Sequence, residues 1–251
     1  MIDRIESSEM EKRLSNEIHH GRFLAQHCPG GVWNWDGPVG SRRWVRRLQM
    51  LMADLKSDMK VLEVGCGTGY FTRELVKWCL NVTAIDISPD LLELARQEIS
   101  QPGVNFAVEN AYAMSFGENQ FDAVVGISVL HHLDIERGLS EIFRVLKPGG
   151  LICFTEPNMM NPQIAVQKNI PFIKKLLGDS PDETAFFRWD MSARLQRQGF
   201  THVRVCPFDF LHPSLPGRLV PLLERVCMTL ENIPVMREIA GSLHIYALKP
   251  T

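Results

Sequence analysis

The chain has 251 residues, 45% of them apolar and 22% charged, so it can bury a sizeable core and is neither disordered, collagen-like nor a coiled coil. Its 27 Lys and Arg against 29 Asp and Glu leave a formal charge of −2, which gives no overall pull toward nucleic acid or an anionic membrane. No run of about 18 apolar residues reads as a membrane span, and the charged N-terminus has no signal-peptide core. The six cysteines (28, 66, 79, 153, 206 and 227) contain no CxxC pair and read as reduced thiols of a cytoplasmic protein.

Residues 10–24 carry apolar side chains at helical spacing. Pro29-Gly30-Gly31 and Gly37-Pro38 then break the chain. Ser41 is expected to cap a helix over 42–55. From residue 60 the rhythm changes. Short apolar runs at 60–64, 82–87, 104–108, 121–127 and 151–155 read as strands. Residues 70–78, 90–99 and 135–146 read as helices between them. This alternation predicts a parallel sheet covered on both faces. Pro157, Pro162, Pro171 and Pro181 cut 156–190 into short pieces. A helix over 190–198, a strand over 201–208, an apolar helix over 217–230 and a last strand over 242–248 complete the chain.

The most informative stretch is Val61-Leu62-Glu63-Val64-Gly65-Cys66-Gly67-Thr68-Gly69-Tyr70. A strand ends in three alternate glycines and a helix follows, a turn that lets a ligand approach the backbone at the carboxyl edge where open α/β sheets bind. Asp86 closes the second strand and suits a carboxylate that accepts from ribose hydroxyls. The glycine spacing is neither GxGxxG nor a P-loop. The expected ligand is therefore a nucleoside without a pyrophosphate, and a NAD-dependent oxidoreductase is disfavoured.

Residues 63–69 resemble motif I of the class I S-adenosylmethionine-dependent methyltransferases. Asp86, Asn110-Ala111, 121–125, Ser128-Val129-Leu130-His131-His132-Leu133 and Arg144–Gly150 follow in the family's order. The likeness is close over about 58–156 and looser over 197–205 and the final strand. It implies a Rossmann-like three-layer sandwich: a seven-stranded, mostly parallel sheet whose last strand is inserted antiparallel, plus a helical cap. It also implies that Glu63 orients the glycine loop or the cofactor's amino group, that Gly65, Cys66 and Gly67 meet the methionine part, and that Thr68 and Gly69 of the same turn belong to the cofactor-binding residues. Ile87, Asn110 and Ala111 would lie at adenine, with Asn110 standing where the family usually has Asp, and Ser128 would join the cofactor site. The expected division is an N-terminal cap or lid over 1–57 and a methyltransferase domain over 58–251, with substrate-cap insertions at about 157–190 and 208–240.

Transfer to a hydroxyl or an acidic carbon needs a base. His131 and His132 are the candidates, because imidazole titrates near neutrality. An extended segment would turn one of them to the pocket, with His131 preferred. Asp134 is expected to cap the next helix. A metal site here is not adopted, since the donors are poor in charge for Mg²⁺. His19, His20, His27 and Cys28 fit no standard metal spacing either. Glu156, just past the fifth strand, is a candidate for touching substrate, with loop capping as the other reading. Trp33 and Trp35, in a Gly/Pro loop, are candidates for a lid over substrate. Arg42, Arg43, Arg46 and Arg47 read as a solvated basic face. The apolar segment 215–239 packs on the sheet, pairs two subunits or meets lipid-linked substrates. The expected activity is methyl transfer to a small molecule, first of all to a hydroxyl oxygen. The alternatives are N- or C-methylation of a lipid-linked sugar or quinone, and a non-catalytic S-adenosylmethionine-binding protein.

Overall fold

The computed structural model describes residues 2–27, 35–180, 182–212 and 215–251, of which 2–9 through their backbone only. Two helices come first, α1 (Ile2–His27) and α2 (Pro38–Met52). Then β1 (Lys60–Val64), α3 (Thr72–Leu75), β2 (Asn81–Asp86), α4 (Pro89–Glu98), β3 (Val104–Val108) and β4 (Phe121–Ile127) alternate. They are followed by α5 (Ile135–Val145), β5 (Leu146–Pro157), α6 (Pro162–Asn169), α7 (Pro171–Leu176), α8 (Arg188–Arg197) and β6 (Thr201–Phe208). The chain ends with α9 (Val220–Glu231), α10 (Pro234–Arg237) and β7 (Ser242–Leu248).

The seven strands form one sheet in the order β3-β2-β1-β4-β5-β7-β6. The first five are parallel, and β7 runs antiparallel between β5 and β6. The order reverses between β1 and β4, which opens a crevice at the carboxyl ends of those strands. Side chains alternate between faces as a strand's period of two requires. On one face Leu62, Val124, Ile152 and Ile245 pack against Leu139 and Ile142 of α5 and Met191 and Leu195 of α8. On the other, Val61, Val82, Ala123 and Cys153 pack against Trp44 and Leu51 of α2 and Phe71 and Leu75 of α3.

Two local readings change. Pro38 opens α2 with Gly37 as its N-cap residue, so Ser41 lies one turn inside the helix. Arg47 of the supposed solvated face is buried. Its Nη1 meets Asp209 Oδ2 at 2.7 Å and its Nη2 donates to Ser242 Oγ at 2.6 Å. Arg43 Nε reaches the same Asp209 oxygen at 2.8 Å, and Arg46 pairs with Glu231. Burial brings the Arg47 guanidinium down to about 10, while the two guanidiniums more than offset the burial of Asp209 and hold its carboxyl below the usual range. These ion pairs fasten α2 to the chain after β6. Asp134 does cap α5, accepting from Arg137 N at 3.4 Å.

α1 lies across α4. A Cβ on Gly21 would stand 2.5 Å from Ser88 Cβ, so the contact requires glycine. Arg22 pairs with Asp90 at 3.4 Å, Asn16 Nδ2 donates to Asp182 Oδ2 at 2.8 Å, and Arg13 donates to the His132 carbonyl at 3.2 Å. The helix thereby roofs the carboxyl edge of the sheet.

Candidate functional site

The glycine turn leaves β1 at Val64. Gly65 has φ +68°, and a Cβ there would stand 2.3 Å from Val129 Cγ2. Gly67 has φ +54°, and a Cβ there would meet nothing within 4 Å. It borders open space shaped for something else. Gly69 also has positive φ, but its Cβ would press on Ile99 Cδ1 at 2.7 Å and Ala95 Cβ at 3.1 Å. Gly69 therefore packs the turn on α4 and does not line the cavity. The expectation that it meets the cofactor is corrected accordingly.

A cavity of about 930 Å³ spans the crevice. Glu63, Gly65, Cys66, Gly67, Thr68, Asp86, Ile87, Asn110, Ala111 and Ser128 all line it. The sheet brings them together because 65, 86 and 128 each end or follow a strand at the same edge; Cys66 N donates to Ile85 O at 2.9 Å and Ser128 N to Thr155 O at 2.8 Å. Asp86 accepts from Gly67 N at 2.8 Å and from Ser88 N at 2.9 Å. Burial outweighs these donors and raises its pKa above the ordinary aspartate range. A second lone pair on each oxygen stays available for a diol. Glu63 is buried and accepts from Thr72 Oγ1 at 2.6 Å; burial pushes its carboxyl up to about 8. Asn110 Oδ1 accepts from Tyr112 N at 2.9 Å, and its second lone pair and its amide N–H groups remain for a ligand. A diol-accepting acid, an open glycine cradle and a flat apolar flank at Ile87 and Ala111 fit the nucleoside and amino-acid parts of S-adenosylmethionine.

The other half of the cavity is walled by α1, the 130–132 turn, α6 and the chain after α7. Arg13, Glu17, His20 and Leu24 form one stripe of α1 along it. Residues 130–132 form a 3₁₀ turn rather than an extended segment, so the two histidines do not simply alternate, and it is His132 rather than the preferred His131 that faces the cavity. His132 lines the cavity, with its Nδ1 2.9 Å from Glu17 Oε2. Burial disfavours its charged form, but the Glu17 contact and the Glu183 charge prevail and raise its pKa. His131 is buried behind it and does not line the cavity. Burial first, and then the neighbouring His132 charge, hold its pKa well below the imidazole range.

Glu156 explains where His131 went. Its Oε1 accepts from Val129 N at 2.9 Å and Leu130 N at 2.8 Å, and its Oε2 accepts from His131 N at 3.3 Å and meets His131 Nδ1 at 2.7 Å. The carboxylate is thus spent on one turn of chain, and burial pushes it up to about 7. Glu156 caps the loop and does not line the cavity, which corrects its candidacy for substrate.

Glu183 was not singled out from the sequence, nor were Glu17 and Lys168. Glu183 lines the cavity and lies 3.8 Å from His131 Nε2 and 3.9 Å from His132 Nδ1. These three residues offer ligating atoms within 4.8 Å of one another. Lys168 Nζ, however, already sits 2.5 Å from Glu183 Oε2 and 2.8 Å from Asp179 Oδ2, so an ammonium occupies the place of a countercharge. The arrangement is an ion-pair network that fixes Glu183 beside the histidines. The Arg13-x₃-Glu17-x₂-His20 spacing, a polar stripe on one helical face, was the sequence signal for α1's part. Nothing local marked Glu183.

Trp35 lines the cavity and lies tilted against Trp44 with ring centroids 5.4 Å apart, and the Arg47 and Arg43 guanidiniums stand 5.3 and 5.7 Å from its ring. Trp33 and Cys28 lie outside the described residues.

Comparison with known proteins agrees with this geometry. Residues 62–154 match the family model described as a methyltransferase domain. The chain is 33% identical over 150 residues to 2-methyl-6-phytyl-1,4-hydroquinone methyltransferase 1, chloroplastic, of Oryza sativa subsp. japonica, covering 59% of this chain and 42% of that one. It is 29% identical over 196 residues to the demethylmenaquinone methyltransferase of Lactiplantibacillus plantarum, covering 68% and 83%. The first curated relatives are matched over about half of their own length. The fold is that of the N-methyltransferase NodS from Bradyrhizobium japonicum WM9, solved with S-adenosyl-L-homocysteine, at a TM-score of 0.63 and 17% identity over 94% of this chain and 100% of that one. Residues 62–154 are a methyltransferase domain of the class I S-adenosylmethionine-dependent kind.

Proposed function

We propose that the protein moves a methyl group from S-adenosylmethionine to a small hydroxyl-bearing acceptor, of the hydroquinone or phenol kind, held in the half of the cavity beside His132. The observation that carries this reading is the Glu17–His132 pair, 2.9 Å apart on the cavity wall. The printed names of the curated relatives, hydroquinone and demethylmenaquinone methyltransferases, support the acceptor class.

Asp86 and Asn110 would hold the nucleoside end of the cofactor, and the glycine turn its amino-acid end. Bound there, S-adenosylmethionine supplies a methyl on a sulfonium, and the electron pair of the broken C–S bond stays with sulfur. The protein's own work is to align the acceptor, exclude water and remove one proton. His132, with Nδ1 turned to Glu17, takes the hydroxyl proton on Nε2. Glu17 stabilises the imidazolium that results, as a buried acid does for a catalytic histidine. Glu156 and His131 hold the turn that sets His132 in place. A phenolate so formed carries charge on oxygen and on its ortho carbons, so the same base serves O-methylation, the first reading, and C-methylation of a quinol ring. The described residues of 1–57, 157–190 and 208–240 that line the cavity form the acceptor walls in this reading.

The test is turnover of a panel of simple phenols, hydroquinones and amines with S-adenosylmethionine, read as S-adenosylhomocysteine release and product mass, with nuclear magnetic resonance locating the new methyl. Methylation of phenolic probes that is lost in His132→Ala supports the reading. Turnover of amines alone, undiminished in His132→Ala, overturns it.

A further inference from the structure

α6 and α7 hold no fully buried residue. They nevertheless present Val166, Ile170, Phe172, Leu176 and Leu177 to solvent, Phe172 at 74% and Leu176 at 71% exposure. Phe172 and Leu176 share one side of α7 by their spacing of four. Leu176 and Leu177 belong to the cavity wall as well, so the exposed ridge runs without a break into the mouth of the cavity. An apolar surface leading into a binding chamber marks a route for an apolar ligand or a docking site.

The charge of this segment is one-signed. Residues 162–178 contain Lys168, Lys174 and Lys175 and no Asp or Glu, in a chain whose overall charge is negative. Lys168 is turned inward to Asp179 and Glu183, and Lys174 Nζ donates to the Glu183 carbonyl at 2.5 Å. Lys175 is exposed between Phe172 and Leu176. Large apolar side chains with the exposed Lys175 among them and no acid in 162–178 suit the headgroup–acyl boundary of an anionic bilayer, where apolar tips enter and the ammonium group stays at the phosphates.

Resting on the reading of this cavity as the acceptor site, we infer that the α6–α7 ridge docks on an anionic lipid surface and that the acceptor, carrying an apolar tail, enters from that surface past Leu176 and Leu177. A second copy of the chain is the weaker occupant, because a two-fold contact sets like patches together and would bring lysines against lysines while closing the entrance.

The full-length protein is sedimented with phosphatidylcholine vesicles, with and without phosphatidylglycerol, at low and high salt. Binding to the anionic vesicles, weakened by salt and reduced at least about tenfold in an Ile170→Asp/Phe172→Asp variant, is the expected result. Both positions are exposed, so the variant should fold, and an unchanged melting shift with S-adenosylhomocysteine verifies this. Protein left in the supernatant with both vesicles overturns the inference. So does equal sedimentation of the variant, or light scattering showing a dimer that the same substitutions dissolve. The thermal shift tests the cofactor reading separately: its absence from the unsubstituted protein defeats the methyltransferase assignment whatever the vesicles show.

Discussion

Glu17 Oε2 stands 2.9 Å from His132 Nδ1, joining the N-terminal helix to the turn after the fourth strand at the wall of the cofactor cavity. Burial of Glu17 opposes its charge, yet the histidine holds the carboxyl below its ordinary range, while the carboxylate holds the imidazole above its own. The two shifts run in opposite directions and each favours the charged form of its group, so the imidazole becomes available as a base only at higher pH than an ordinary histidine.

That sign gives a pH prediction. His132 serves as a base only when neutral, so kcat should rise with pH through a pKa above the ordinary histidine value. Glu17→Gln removes the anion that raises this pKa and leaves the burial that lowers it. The acid limb of the pH–rate profile should therefore move to lower pH. His132→Ala should lower kcat by roughly 10²–10⁴-fold with little change in S-adenosylhomocysteine affinity, measured by calorimetry.

Asp86, proposed as the acceptor for the ribose diol, also accepts from Gly67 N and Ser88 N. Asp86→Ala should cost at least about tenfold in S-adenosylhomocysteine affinity, or about 1.4 kcal/mol. The melting shift produced by saturating ligand should shrink accordingly. A variant that binds as tightly as the parent would remove Asp86 from the cofactor site.

Gly67 and Gly69 separate ligand space from packing space. Gly67→Ala puts a methyl into the open cradle and should weaken cofactor binding, with only the backbone cost of about 1 kcal/mol in stability. Gly69→Ala drives its methyl into Ile99 and Ala95 and should lower the melting temperature more. Thermal denaturation with and without S-adenosylhomocysteine distinguishes the two.

Glu156→Ala would leave Val129, Leu130 and His131 N–H groups and His131 Nδ1 without their acceptor. Each buried orphan costs about 1–3 kcal/mol, and at roughly 2–4 °C per kcal/mol the melting temperature should fall by at least about 10 °C. Glu156→Gln keeps one oxygen acceptor and should fall less. If Glu156 instead met substrate, Ala would alter KM while the melting temperature stayed put.

Asp209→Ala would strand Arg47 in a buried position and take the partner of half-buried Arg43. Breaking such a pair costs about 3–5 kcal/mol, a loss visible as a large drop in melting temperature. Arg42→Ala, on the same helix but exposed and 4.0 Å from Glu224, should change stability by less than about 1 kcal/mol.

The residues of the sheet and its cofactor edge were legible in one dimension. Strand 60–64, the glycine turn, Asp86, Asn110 and Ser128 sit in short local patterns, and the parallel β–α rhythm carries their strand ends to one edge. Even β7's place between β5 and β6 followed from the family resemblance. What lay between those patterns was not legible. Whether His131 or His132 faced the cavity depended on the backbone turning as a 3₁₀ helix under the pull of Glu156, an acid that arrives from the fifth strand. Arg47 looked like a solvated charge because nothing near it in sequence announces Asp209. Glu17 and Glu183 became cavity residues through the docking of α1 on α4 and the return of the chain after α7. The sequence by itself determined where backbone meets cofactor, because turn and strand geometry are local. The acid–base groups and the buried charges were decided only in the tertiary structure, because an ion pair is defined by a distance across the fold and not by a spacing along the chain.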